Sequence, residues 1–190
     1  MIAPHAGPWA RDSYGFNPLH QWLANRGYAV LSVNFRGSTG FGRTLLNAGN
    51  GEWGGRMQED LIDAAQWAVQ SGIAEADRVA IVGEGYGGYA ALAGLAFAPE
   101  QFRCAASFNA PANLVSLVES APASVRDALY LRVGDPRTAE GRQRLRERSP
   151  ASRASQIRSP LLLVLGARDA SAFAGGFDQI AQSLRGRGVA

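Results

Sequence analysis

Four short apolar runs punctuate the chain, at residues 28–33, 79–82, 104–108 and 160–165, each of strand length and without the alternation of a half-exposed strand. Between them the spacing changes to that of helices. Phe16, Leu19, Trp22 and Leu23 recur at helical intervals, and Gly27 stands just past the last of them, where a helix over 16–26 would end. Leu61, Ile62, Ala65 and Val69 mark one face of a helix over 59–70, closed by Ser71-Gly72. Small residues dominate 89–97, so that helix would pack closely on a sheet, and a last helix is expected over 173–184. The aromatics Phe16 and Trp22 read as core. Strands that alternate with helices in this order imply βαβ units, hence an α/β fold with a mainly parallel, doubly wound sheet.

The third feature after each strand is its C-terminal loop, and one loop stands apart. Val79–Val82 runs into Gly83-Glu84-Gly85-Tyr86-Gly87-Gly88 and then directly into the small-residue helix. A β-branched run that turns sharply into a helix has the form of a nucleophile elbow, which lifts one side chain above the sheet edge. Gly83 and Gly87 would let strand and helix approach closely. At the apex, G-x-S-x-G places a serine where this chain has Gly85. A glycine-rich strand-to-helix turn also suits phosphate, because helix N-termini attract anions. The lysine of G-x-x-x-x-G-K-[ST] is missing, however. Gly83, Gly85 and Gly88 match G-x-G-x-x-G, but the next strand carries no acid for a ribose, so the elbow is favoured over a dinucleotide loop or a purely structural turn.

The loop His5-Ala6-Gly7-Pro8-Trp9 follows a stub too short for a full strand. In hydrolases with such an elbow an HGGG-like loop supplies oxyanion-hole N–H groups, a role open to Gly7 with the N–H of Tyr86 as second donor. His5 itself reads as a turn histidine packed beneath that loop. Arg36, in the polar glycine-rich loop after the 28–33 run, is either a clamp for a substrate carboxylate or the partner of a buried acid such as Asp60. Asp169 lies just past the 160–165 strand, where the acid of a triad belongs in the order nucleophile, acid, histidine; equally, it could start the helix that follows. Both histidines, His5 and His20, precede the elbow.

Composition narrows the field. The 190 residues, 46% hydrophobic and 18% charged, suit one soluble domain, with 112–158 as an insertion near the site. A net charge of +3 does not by itself call for nucleic acid or membrane. Seven arginines crowd between Arg137 and Arg158, yet without interleaved aromatics they read as a solvated helix face rather than a nucleic-acid surface. No apolar stretch is long enough to span a bilayer, and no secretion signal opens the chain. The single Cys104, in an apolar run, reads as a buried structural thiol and is compatible with the cytoplasm. Nothing here calls for a cofactor or a metal.

Taken together, H-A-G-P-W, N-F-R-G-S-T-G-F-G-R, G-E-W-G-G, D-R-V-A-I-V-G-E-G-Y-G-G-Y-A-A-L and G-A-R-D resemble the catalytic domain of the prolyl oligopeptidase family, closest to its acylaminoacyl and dipeptidyl peptidase branch. The resemblance implies an α/β-hydrolase fold, usually preceded by a β-propeller, and hydrolysis of short peptides through an acyl-serine. It assigns Gly85 the nucleophile's place, Asp169 the acid's, and the N–H groups of Gly7 and Tyr86 the oxyanion hole. The departures are Ala6 for the first glycine of H-G-G-P, Gly85 for serine, Ser171-Ala172 for the R-V after the aspartate, and no final strand or histidine loop. The chain is therefore expected to be truncated at both ends and inactive as it stands. A pseudoenzyme that binds peptides, or a gene fragment, are the other readings, and a propeller domain or an oligomeric partner is the expected complement.

Overall fold

The computed structural model describes residues 1–167 and 170–189. Its sheet has three parallel strands in the order β1-β2-β3, from β1 (Ala80–Glu84), β2 (Cys104–Phe108) and β3 (Leu161–Val164). Ala80 stands opposite Cys104 and Glu84 opposite Phe108, while Ala105 faces Leu161 and Phe108 faces Val164. Parallel pairing requires a long return between strands. The first return is α4 (Tyr86–Phe97); the second contains α5 (Leu114–Glu119), α6 (Ala123–Arg132), α7 (Ala139–Glu147) and a 3₁₀ segment, Pro150–Gln156. Ahead of β1 come α1 (Pro18–Ala24), α2 (Arg43–Asn47) and α3 (Arg56–Gln70), and α8 (Ala170–Arg185) follows β3.

The expected strand at 28–33 is reduced to one parallel bridge. Ile2 lies between Leu31 and Ile81, donating its N–H to Ala80 (2.8 Å) and accepting from Val82 (3.0 Å), while Ala3 donates to Leu31 (2.9 Å). The ring nitrogen of Pro4 has no proton to continue the ladder. The stub therefore extends the sheet by one pair and then turns into the His5 loop.

Helix α4 is buried from Tyr86 to Ala96. Glycine and alanine make that possible, because a thin helix can be covered on all sides. A Cβ at Gly94 would lie 2.9 Å from the Phe102 ring, and one at Gly88 would lie 2.8 Å from the Ala110 methyl. Leu61 and Ala65 of α3 are buried in the same core, as are Phe177, Ile180 and Leu184 of α8. The opposite face of the sheet is thinly covered. There α1 contributes Leu23 alone, so Phe16 and Trp22, expected in the core, are 81% and 54% exposed. Helix α1 starts only at Pro18, capped by Asn17, which leaves Phe16 outside it, and Trp22 is instead covered by the Arg26 guanidinium at 4.1 Å. For the same reason β3 is half-packed rather than buried, with Leu162 and Val164 open, and Cys104 is half-buried.

The arginine-rich segment is tied down at several points rather than simply solvated. Arg144 donates to the Gly51 carbonyl (2.8 Å), Arg148 to that of Gly54, and Arg142 pairs with Glu119. Among the described residues no helix is long and apolar enough to cross a membrane.

Glycine contacts set the sign of two substitutions. A Cβ at Gly87 would sit 2.2 Å from the Pro4 carbonyl oxygen, whereas Gly175 in α8 has nothing within 4 Å. Gly87→Ala should cost about 3 kcal/mol in a urea melt. Gly175→Ala should gain up to about 1 kcal/mol by removing glycine from a helix.

Candidate functional site

The corner after β1 is built from backbone alone. Gly85 holds φ 57° and ψ −117°, and α4 begins at the next residue. L-residues rarely occupy that region, and glycine does so freely. On either side the chain folds back on itself: a Cβ at Gly83 would be 2.4 Å from the carbonyl carbon of Gly87. The apex is different. A Cβ on Gly85 would touch only the Ala6 methyl, at 3.8 Å. The corner thus has space for a side chain at the one position where the elbow motif requires it, and none at Gly83 and Gly87.

The His5–Trp9 loop lies against this corner, since the Pro4 and His5 carbonyls are the nearest atoms to a side chain at Gly87. Gly7 adopts φ 124°, and a Cβ there would meet the Trp9 nitrogen at 2.9 Å, so the loop's path requires glycine. Tyr86 is the first residue of α4, where an N–H has no partner within the helix. Among the described residues no acceptor takes the N–H of Gly7 or of Tyr86. Tyr86 follows Gly85 directly, and the loop that carries Gly7 reaches the corner through Ala6, whose methyl would lie 3.8 Å from a Cβ at Gly85.

The Tyr86 side chain points the other way, into an aromatic cluster. Its ring lies 4.7 Å from Trp53 edge-on, 5.1 Å from Phe35 and 5.8 Å from Tyr89. Burial pushes its phenol well above the usual range, reinforced by Tyr89 and Asp60, and its hydroxyl has no hydrogen-bond partner among the described residues. Tyr89 is likewise raised by burial, and its hydroxyl donates to the Arg148 carbonyl at 2.8 Å. These phenols stay neutral and serve packing.

Arg36 and Asp60 make the pair that the sequence left open. Asp60 accepts from the Arg36 backbone N–H (2.8 Å), its Nε (2.8 Å) and its Nη2 (2.5 Å), a bidentate geometry with a backbone bond added. The Asp60 hydrogen bonds raise the guanidinium's pKa. Two of its nitrogens are thereby occupied, and they fix the loop that starts at Arg36.

Asn109 has a part that sequence reasoning did not assign. It is the one described non-glycine residue with positive φ, at 44°, a region that asparagine tolerates. Its N–H donates to Val164 (2.9 Å) and its side-chain oxygen accepts from Gly166 (2.8 Å), while Gly85 donates to Phe108 (3.0 Å). One strand end thus ties the elbow to the loop after β3. An asparagine immediately after an apolar run was the available signal. Asp169, on that loop, lies outside the described residues. Among the described residues no cluster of three acidic, histidine or cysteine side chains could hold a metal.

Comparison with known proteins identifies the family and the fold. The model of the prolyl oligopeptidase family matches residues 14–190. A dipeptidyl aminopeptidase BIII from Pseudoxanthomonas mexicana is 54% identical over the whole chain, which covers 28% of that protein. An acylamino-acid-releasing enzyme from Arabidopsis thaliana is 30% identical over 97% of the chain and is covered over 25% of its own length. The solved puromycin-hydrolyzing peptidase of Mycobacterium tuberculosis superposes with a TM-score of 0.89 at 30% identity, over 99% of this chain and 28% of that one. The chain spans about a quarter of the length of the relatives it matches, and the fold they share with it is that of the α/β-hydrolase peptidases.

Two substitutions test the site's framework. Gly85→Ala meets no clash but takes on the left-handed backbone, so it should cost about 1–3 kcal/mol in denaturant, and Gly85→Ser the same. Asp60→Asn removes the charge that holds Arg36 at three points and should cost about 2 kcal/mol by the same assay.

Proposed function

Because the chain belongs to the prolyl oligopeptidase family, we propose that it is the elbow-bearing part of a serine-peptidase catalytic domain for short peptides, with glycine in the nucleophile's place. The observation that carries this reading is the backbone of Gly85, which keeps an elbow conformation and an open side-chain position although it has no side chain to present.

A serine at 85 would attack the scissile carbonyl, and the negative oxygen formed would accept from the N–H groups of Gly7 and Tyr86. Asp169 would hold a histidine in the orientation that takes the serine proton. Neither histidine of this chain is placed for that task by sequence order, and His5 is engaged with Ser38 and Ala6. Without the serine oxygen no acyl-enzyme forms. The two unpaired N–H groups favour a second reading of the same site: retention of an acyl group or carboxylate without turnover. The dipeptidyl and acylaminoacyl peptidase relatives make short peptides the ligand class. A propeller or other partner segment, an active-site border formed by residues 112–158, and a cytoplasmic setting belong to the proposal as well. Contact of that segment with the site is supported by Arg132, which lies 4.9 Å from the Trp9 ring.

The test uses dipeptidyl and acylaminoacyl chromogenic anilides. The chain and Gly85→Ser are compared, each also joined to the histidine-bearing segment of a related peptidase. Only the joined Gly85→Ser protein should turn over, at least about a thousandfold above its glycine counterpart. Equal rates for the two, or a well-folded repaired protein with no turnover, would overturn the reading.

A further inference from the structure

His5 makes two hydrogen bonds whose chemistry fixes its protonation pattern. Nδ1 is 2.8 Å from the Ala6 carbonyl oxygen, and Nε2 is 3.0 Å from the Ser38 hydroxyl. A carbonyl only accepts, so Nδ1 carries a proton. In the neutral ring Nε2 is then bare and accepts from the Ser38 O–H. The ring also stacks on Phe35, with centroids 4.5 Å apart and planes 19° apart. Phe35 and Ser38 are both fully buried, and the Ser38 N–H donates to the Phe35 carbonyl at 3.0 Å. The imidazole is therefore held in one place by a rigid wall.

Its consequence falls on the neighbouring peptide. The Ala6–Gly7 bond is trans, so its C=O and N–H point in opposite directions in one plane. Drawing the Ala6 carbonyl toward the His5 ring turns the Gly7 N–H away from that ring. Ala6 is also the residue whose methyl faces the apex at Gly85. We infer that His5 is a positioning residue: by holding the Ala6 carbonyl it aims the Gly7 N–H at the ligand oxygen, and the Ser38 hydroxyl, bonded to Nε2, anchors the ring from its other side. This rests on the proposed reading of Gly7 as an oxyanion donor and names the group that aims it. Ser38, which resembles an activated serine by its bond to a histidine, is too deeply buried to meet a substrate and acts through that ring.

The experiment uses the ¹⁵N-labelled chain, with N-acetylalanine as the carboxylate probe. Long-range ¹H–¹⁵N correlation should show His5 protonated at Nδ1 and bare at Nε2. In the unmodified chain the probe should shift the amides of both Gly7 and Tyr86. His5→Phe keeps the stack on Phe35 and removes both ring nitrogens. It should leave the Tyr86 response in place, abolish that of Gly7 and weaken the probe about tenfold. His5→Asn carries an amide N–H near the Nδ1 position and should restore the Gly7 response. Ser38→Ala should keep the Nδ1 proton hydrogen-bonded to the Ala6 carbonyl, because that carbonyl only accepts. An Nε2-protonated ring in the unmodified chain, or an unchanged Gly7 response in His5→Phe, would overturn the inference. If the probe moves neither amide of the unmodified chain, it is the carboxylate-binding reading that fails. The inference is then decided without ligand, by the tautomer and by whether the free Gly7 amide resonance moves in His5→Phe and returns in His5→Asn. A Tyr86 amide that holds its resonance throughout distinguishes a local change from loss of the fold.

Discussion

The structure depends on two backbones meeting where no side chain intervenes. At Gly83 and Gly87 the strand and the helix of the corner approach so closely that a single methyl at either position would overlap main-chain atoms. That contact sets the direction of α4, and α4 in turn is the buried body on which the sheet, α3 and the 150–156 segment pack. The same helix passes beneath the Pro4 carbonyl and thereby seats the His5–Trp9 loop. Fold and site thus share one steric requirement: small residues at the corner make the core dense and let the His5–Trp9 loop approach Gly85.

Against that background the glycine at the apex stands in an ordered corner. The left-handed backbone at the apex is strained for any residue but glycine. Here glycine removes the strain and the conformation persists, since Gly83, Gly87 and Gly88 enforce it from outside. Further bonds hold the surroundings: Arg36 to Asp60, Gly85 to Phe108, Gly166 to Asn109. The corner leaves an open side-chain position at its apex.

The parts legible in the sequence were those set by local chemistry. The run at 104–108 is a strand from end to end, the corner glycines have the contacts their spacing implied, and Arg36 finds Asp60. The parts that were not legible depend on what lies across space. Phe16 and Trp22 have the spacing of a buried face, yet α1 is two turns long and Leu23 is its buried residue. Leu162 and Val164 have the composition of a buried strand, but β3 is packed on one side only. The 28–33 run pairs at Leu31 alone, bridged to Ile2, and its other residues stay outside the ladder. His5 was readable as a packed turn residue. Its bonds to Ala6 and Ser38 join positions 33 residues apart, which no local pattern reveals.

The central claim is that Gly85 occupies an intact, accessible elbow whose surroundings stabilise negative charge. Its most direct measurement is the titration of a thiol placed there, in Gly85→Cys with Cys104→Ser to leave a single cysteine, followed by the pH dependence of alkylation by iodoacetamide. Two N–H donors and the N-terminus of α4 should hold that thiol below the ordinary cysteine value of about 8.5. A thiol that reacts with an ordinary or raised pKa, or fails to react in the folded protein, would show that the corner no longer presents its apex to an anion and would contradict the account.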